Sequence, residues 1–125
     1  MEQKSWNLFL DDERKPCDVK WAPSDVYEKY ITDEWEICTT KFSMIQAIFE
    51  HGKMAPSFIS FDHDLGEYES TGYDAARWLV EMDMNEVIKI PDDFNFYVHS
   101  KNPIGKENIE KYLNNYLRLK NANDD

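Results

Sequence analysis

The sequence is poor in cysteine, histidine, glycine and positive charge. Its two cysteines, Cys17 and Cys38, stand alone with no CxxC or Cys/His spacing, which excludes a disulfide framework or a zinc finger and leaves two reduced thiols. Four glycines and five prolines, beside 42% hydrophobic and 14% aromatic residues, exclude a low-complexity or wholly disordered chain. Fourteen Lys and Arg face 25 Asp and Glu, a net charge of −11. That balance excludes broad, salt-driven binding to nucleic-acid backbones but not a small phosphate ligand or a nucleic-acid end. No run approaches the roughly 20 apolar residues of a membrane span, and Met1-Glu2-Gln3-Lys4 lacks the apolar core of a signal peptide. A cytoplasmic protein without a membrane partner is therefore expected. Its 125 residues fit one compact domain, read as 1–120 with a frayed acidic tail over 121–125.

Four β-prone runs are present: 6–10, 35–39, 57–61 and 94–98. Helical patterns separate them. One or two turns are expected around 24–30, in a connection whose Trp21, Tyr27 and Tyr30 could pack as a lid. Phe42, Ile45, Ile48 and Phe49 mark a second helix, ended by Gly52 and Pro56. Thr71 and Asp74 read as a capping box before a helix carrying Ala75, Trp78, Leu79 and Met82. Ile109, Tyr112, Leu113, Tyr116 and Leu117 form the clearest apolar stripe of the chain. Alternating strands and helices predict an α/β fold: a doubly wound parallel sheet of about four strands, in a three-layer sandwich joined by right-handed crossovers.

Three of the four strands end in polar clusters, Asp11-Asp12, Asp62-His63-Asp64 and His99-Ser100. In an open parallel sheet these ends share one edge, where ligands bind near the reversal of strand order. One acidic pair alone would read as a cap or turn. Two pairs, each directly after a buried strand, point to an oxygen-rich site for Mg²⁺ or Mn²⁺. His63 and His99 fall inside the clusters and are candidate proton donors, whereas His51 reads as a cation at a helix end. The start of the last helix, with Lys101 and Lys106 near it, is placed to meet a phosphate. The remaining basic residues of that helix read as a solvated face.

The chain resembles the receiver domains of two-component signalling, and more closely the cyclic-phosphate-processing receiver-like family. The resemblance is carried by Leu8-Phe9-Leu10-Asp11-Asp12-Glu13-Arg14-Lys15-Pro16, Ser60-Phe61-Asp62-His63-Asp64-Leu65-Gly66, Thr71-Gly72-Tyr73-Asp74, and the run from His99-Ser100-Lys101-Asn102-Pro103 to Ile109. It implies a receiver/flavodoxin-like fold and a metal-dependent phosphoesterase site for cyclic phosphates, such as 2′,3′-cyclic RNA ends, in RNA repair or conflict. Ordinary receivers carry Thr or Ser after the fourth strand and Lys after a fifth. Here His99-Ser100-Lys101 follows the fourth and no fifth is evident, which favours hydrolysis over phospho-signalling.

The expected mechanism places one divalent metal on Asp11, Asp12, Asp62 and Asp64. Either His99 or His63 protonates the leaving oxygen, while Arg14, Ser100, Lys101, Asn102 and Lys106 receive the phosphoryl oxygens. In a variant route Asp62 attacks phosphorus directly. The competing readings are a non-catalytic receiver-like module with Asp62 as phosphoacceptor, and an acidic interaction protein.

Overall fold

The computed structural model describes residues 5–122. Four parallel strands, β1 (Asn7–Leu10), β2 (Glu36–Cys38), β3 (Phe58–Phe61) and β4 (Asn95–Val98), form one sheet in the order β2-β1-β3-β4. The chain moves from β1 to β2 in one direction and then back across β1 to β3 and β4. With right-handed crossovers, that reversal sends the first helix to one face and the next two to the other. It also places a switch point between β1 and β3.

The helices are α1 (Ser24–Thr32), α2 (Lys41–Glu50), α3 (Gly72–Met84) and α4 (Pro103–Ala122). Side-chain alternation sorts the core in two. Leu8, Leu10, Ile59, Phe61 and Val98 point to the face covered by α2, α3 and α4, where they meet Met44, Ile48, Leu79, Ile109 and Leu113. Phe9 points to the other face, where Val19 and Tyr30 form a smaller cluster with Tyr27, Trp35 and Tyr97. Each fully buried Leu, Ile or Phe contributes roughly 1.5–3 kcal/mol, so the larger cluster carries most of the hydrophobic stabilisation.

Several expectations shift. Each strand is shorter than the run that announced it, and α1 extends over nine residues rather than a turn or two. The buried stripe of α2 is Met44, Ala47 and Ile48, while Phe42 and Phe49 face outward. Of the expected face, Ile48 is buried and Ile45 partly so, while the rest of the stripe is rotated onto Met44 and Ala47. The Thr71–Asp74 capping box starts α3, with Thr71 Oγ1 accepting from the Asp74 N–H and Asp74 accepting from the Thr71 N–H. Asn121 and Ala122 belong to α4; the rest of the expected tail lies outside the described residues. Cys17 and Cys38 are unpaired, and burial pushes the Cys38 thiol up to about 11, leaving it unreactive.

Candidate functional site

Pairing register sets the site. Leu10, Phe61 and Val98 lie in one row across β1, β3 and β4. The ladder continues one residue further, as the Asp62 N–H donates to the Leu10 carbonyl and the His99 N–H to that of Phe61. Asp11, Asp62 and His99 are therefore the next row, one position beyond the core and turned toward the opposite face. They are buried, and their potential ligand atoms lie within 4.8 Å of one another, the one such cluster among the described residues.

Asp11 is heavily engaged. Its Oδ1 accepts from the Glu13 and Arg14 N–H groups at 2.8 and 2.9 Å, which bends the chain away from β1. Its Oδ2 accepts from His99 Nε2 at 2.9 Å and from Arg14 Nη1 at 3.4 Å. Burial alone would raise this carboxyl, but the His99 bond and the two amides hold it below its ordinary value. Asp62 goes the other way: burial, and then the charge of Asp11, push it up, against the lowering effect of its bond from the His63 N–H. The nearby guanidinium of Arg14, 3.7 Å from Asp62 Oδ2, bridges the two carboxylates.

These groups open into a cleft of about 450 Å³ at the switch point. Asp11, Asp12, Asp62 and Asp64 line it, joined by Glu13, Glu67 and Glu69, which the sequence reading missed. Arg14 and Lys101 are its two cations, so the lining balance is two minus seven, or −5. Ser100 and Asn102 also line it, and Asn102 serves the scaffold. Its Oδ1 caps α4 at the Gly105 N–H, 3.0 Å away, and its Nδ2 donates to Asp64. With Pro103 offering no N–H, the start of α4 is largely committed to its own cap.

Three expected site residues do not line the cleft. His99 is wholly buried: Phe9 stacks on its ring at 4.5 Å, Nδ1 meets Ser60 Oγ at 2.7 Å, and Ser60 Oγ meets the Tyr30 hydroxyl. Both ring nitrogens are engaged, one of them on Asp11, so direct protonation of a leaving oxygen is not a contact this geometry offers. His63 lies outside the cleft lining because its ring fills the space beside Gly105, where a Cβ would come within 2.3 Å of it. Lys106 sits with its ammonium 4.8 Å from the centre of the Tyr97 ring, over the sheet and away from the cleft. Of the aromatics expected to form a lid, Tyr30 is core, and Trp21 alone reaches the cleft rim through Arg14 and Lys101.

The donor set fits a hard divalent cation. It is all oxygen on the cleft side, and seven carboxylates line the cleft against two cations. The compact trio with His99 fits less well, since a metal there would have to break the His99–Asp11 hydrogen bond.

A parallel sheet with carboxylates at the ends of β1 and β3, and a cation after β4, defines a receiver-like α/β domain. The family model for the cyclic-phosphate processing receiver domain matches residues 6–115, and the chain belongs to that family. No curated protein matches the chain at a significant level. It is similar in fold to a solved structure described as a yeast Spc42 trimeric coiled-coil segment fused to another protein. The identity is 20% and the TM-score 0.51, covering 98% of this chain and 86% of that one. That likeness concerns the fold alone. No helix among the described residues is long and apolar enough to cross a membrane.

Proposed function

We propose that the protein is a metal-dependent phosphoesterase that opens cyclic phosphates, with a small cyclic nucleotide or a phosphorylated nucleic-acid end as substrate. The observation that carries this reading is the pair of buried carboxyls, Asp11 held ionised and Asp62 pushed up, at the floor of a cleft with a −5 lining in a chain of this family. Such a cleft repels a phosphate unless a cation binds first, so cation and phosphate belong together. Mg²⁺ or Mn²⁺, for which the cleft carboxylates Asp11, Asp12, Asp62 and Asp64 are the residues that would hold it, would supply polarisation of the phosphodiester and an acidic bound water. Arg14 and Lys101 then receive the non-bridging oxygens from the rim, and Ser100 offers a hydroxyl beside Asp62. His99 is a positioning residue that fixes Asp11. A role in RNA repair or conflict would follow from 2′,3′-cyclic RNA ends as substrate.

The test incubates the protein and Asp62→Asn with Mg²⁺ or Mn²⁺ and 2′,3′-cyclic nucleotides, cyclic-phosphate-ended oligonucleotides or acetyl phosphate. Metal-dependent ring opening, reduced by about a hundredfold or more in Asp62→Asn, is the expected result. A stable aspartyl phosphate from acetyl phosphate, with every cyclic substrate left intact, would overturn it in favour of a phosphoacceptor module.

A further inference from the structure

Lys101 lines a cleft with seven carboxylates, yet among the described residues it forms no salt bridge. Its ammonium instead lies 4.3 Å from the centre of the Trp21 ring. The guanidinium of Arg14, the other cation of the cleft, lies 5.2 Å from the same centre. Trp21 is 41% exposed, so hydrophobic burial alone does not account for its position. What fixes it is the indole N–H, which donates to the His99 carbonyl at 3.0 Å across 78 positions of sequence. One side chain thus ties the connection before α1 to the β4–α4 loop and presents its ring to both cations.

A lysine on a flexible stem beside a −5 lining would ordinarily fold onto a carboxylate, and the negative face of an indole ring is the competing partner. We propose that Trp21 is a positioning residue that holds Lys101 at the rim, with Arg14 beside it, as a clamp for a phosphoryl group. This rests on the phosphoesterase reading. The ring keeps Lys101 off the acidic floor, where Arg14 already bridges Asp11 and Asp62, and so leaves the ammonium at the rim for phosphate oxygens. The clamp recognises the phosphoryl group itself, whichever nucleoside or RNA end bears it.

The experiment measures binding by calorimetry of Mn²⁺ alone, and of inorganic phosphate and adenosine 3′-monophosphate, a ring-opened product, in saturating Mn²⁺. It compares the wild type with Trp21→Phe, Trp21→Leu and Trp21→Ala, each checked by thermal unfolding. Trp21→Leu and Trp21→Ala are expected to weaken both phosphate probes about tenfold, Trp21→Phe by about threefold or less, with Mn²⁺ affinity unchanged within about twofold. Leucine keeps apolar bulk without the ring quadrupole, so it separates the clamp from simple packing. The clamp is overturned if folded Trp21→Leu binds both probes like the wild type. A wild type that binds Mn²⁺ but neither probe overturns the phosphate reading itself and the clamp with it.

Discussion

His99 Nε2 lies 2.9 Å from Asp11 Oδ2, joining the ends of β4 and β1 across 88 positions of sequence with β3 between them. The ring is the middle of a buried chain from Asp11 through Ser60 to Tyr30. Replacing it leaves a buried carboxylate without its main donor and an empty space against Phe9. His99→Ala is therefore expected to lose about 3 kcal/mol of unfolding free energy in urea titrations. Wild-type stability with abolished ring opening would instead restore His99 as a direct proton donor.

Tyr30→Phe probes the far end of the same chain. Ser60 keeps its bond to His99 and loses only the Tyr30 hydroxyl, so the expected cost is about 1 kcal/mol by urea unfolding, with turnover changed only a fewfold. A loss of activity comparable to that of Asp62→Asn would mean that the chain carries protons during the reaction.

Arg14 stands between Asp11 and Asp62, where a bound cation would compete with it. Arg14→Gln removes that competing charge and is expected to tighten Mn²⁺ binding several-fold while weakening phosphate binding in Mn²⁺. Paramagnetic titration with Mn²⁺ reads the first effect. Weaker Mn²⁺ binding in the variant would show that the guanidinium orders the carboxylates more than it blocks them.

Close approaches at two glycines pack α3 and α4 against the segment that carries Asp62 and His63. A Cβ at Gly72 would lie 1.8 Å from the Asp62 carbonyl oxygen, and one at Gly105 would meet the His63 ring at 2.3 Å. Gly105→Ala is expected to cost about 1–3 kcal/mol. Gly72→Ala should cost more, because backbone cannot turn aside as a side chain can. Thermal unfolding of the two variants gives the order, and an equal or reversed ranking would contradict it.

Acid sensitivity should arise away from the cleft as well as at Asp11. Asp83 accepts from the Ile90 N–H, from the Tyr116 hydroxyl at 2.5 Å and from the Lys120 ammonium at 2.9 Å, tying α3 and α4 to the approach to β4. Burial would raise its carboxyl, but these bonds together hold it below its ordinary value. A depressed folded-state value stabilises the fold above the unfolded-state pKa of about 3.9, and the contribution is lost as pH falls through the folded value. Asp83→Asn is expected to be less stable at neutral pH by about 1–3 kcal/mol and to lose less stability than the wild type on acidification. Melting temperatures followed down to about pH 3 decide it, and parallel curves would exclude Asp83 as a source.

The acidic ends of β1 and β3 were legible because hydrophobic runs stop abruptly at Asp11 and Asp62, and α4 because its apolar stripe repeats for several turns. The phase of α2 was not: Phe42 and Phe49 outweigh Met44 and Ala47 in any hydrophobicity count, yet the smaller pair fits against the sheet. α1 hides because it covers a small aromatic cluster, so Tyr30 and its partly buried neighbours leave little periodic signal. Lys120 read as solvated, since no local pattern announces a bond to Asp83, 37 positions away. Burial of His99 and the reach of Trp21 toward its carbonyl are likewise long-range facts, fixed only when the strands pair. Glu13, Glu67 and Glu69 join the cleft through loop geometry, which composition does not encode.

The shared row of Asp11, Asp62 and His99 ties chemistry to folding through a single discrete variable. Slipping β3 by one residue would turn Phe61 toward the second face and Asp62 into the main core, so no slipped sheet can keep its interior and lose only its site. Strand pairing thereby proofreads the reactive centre: a molecule that has buried its apolar residues has already aligned its carboxylates.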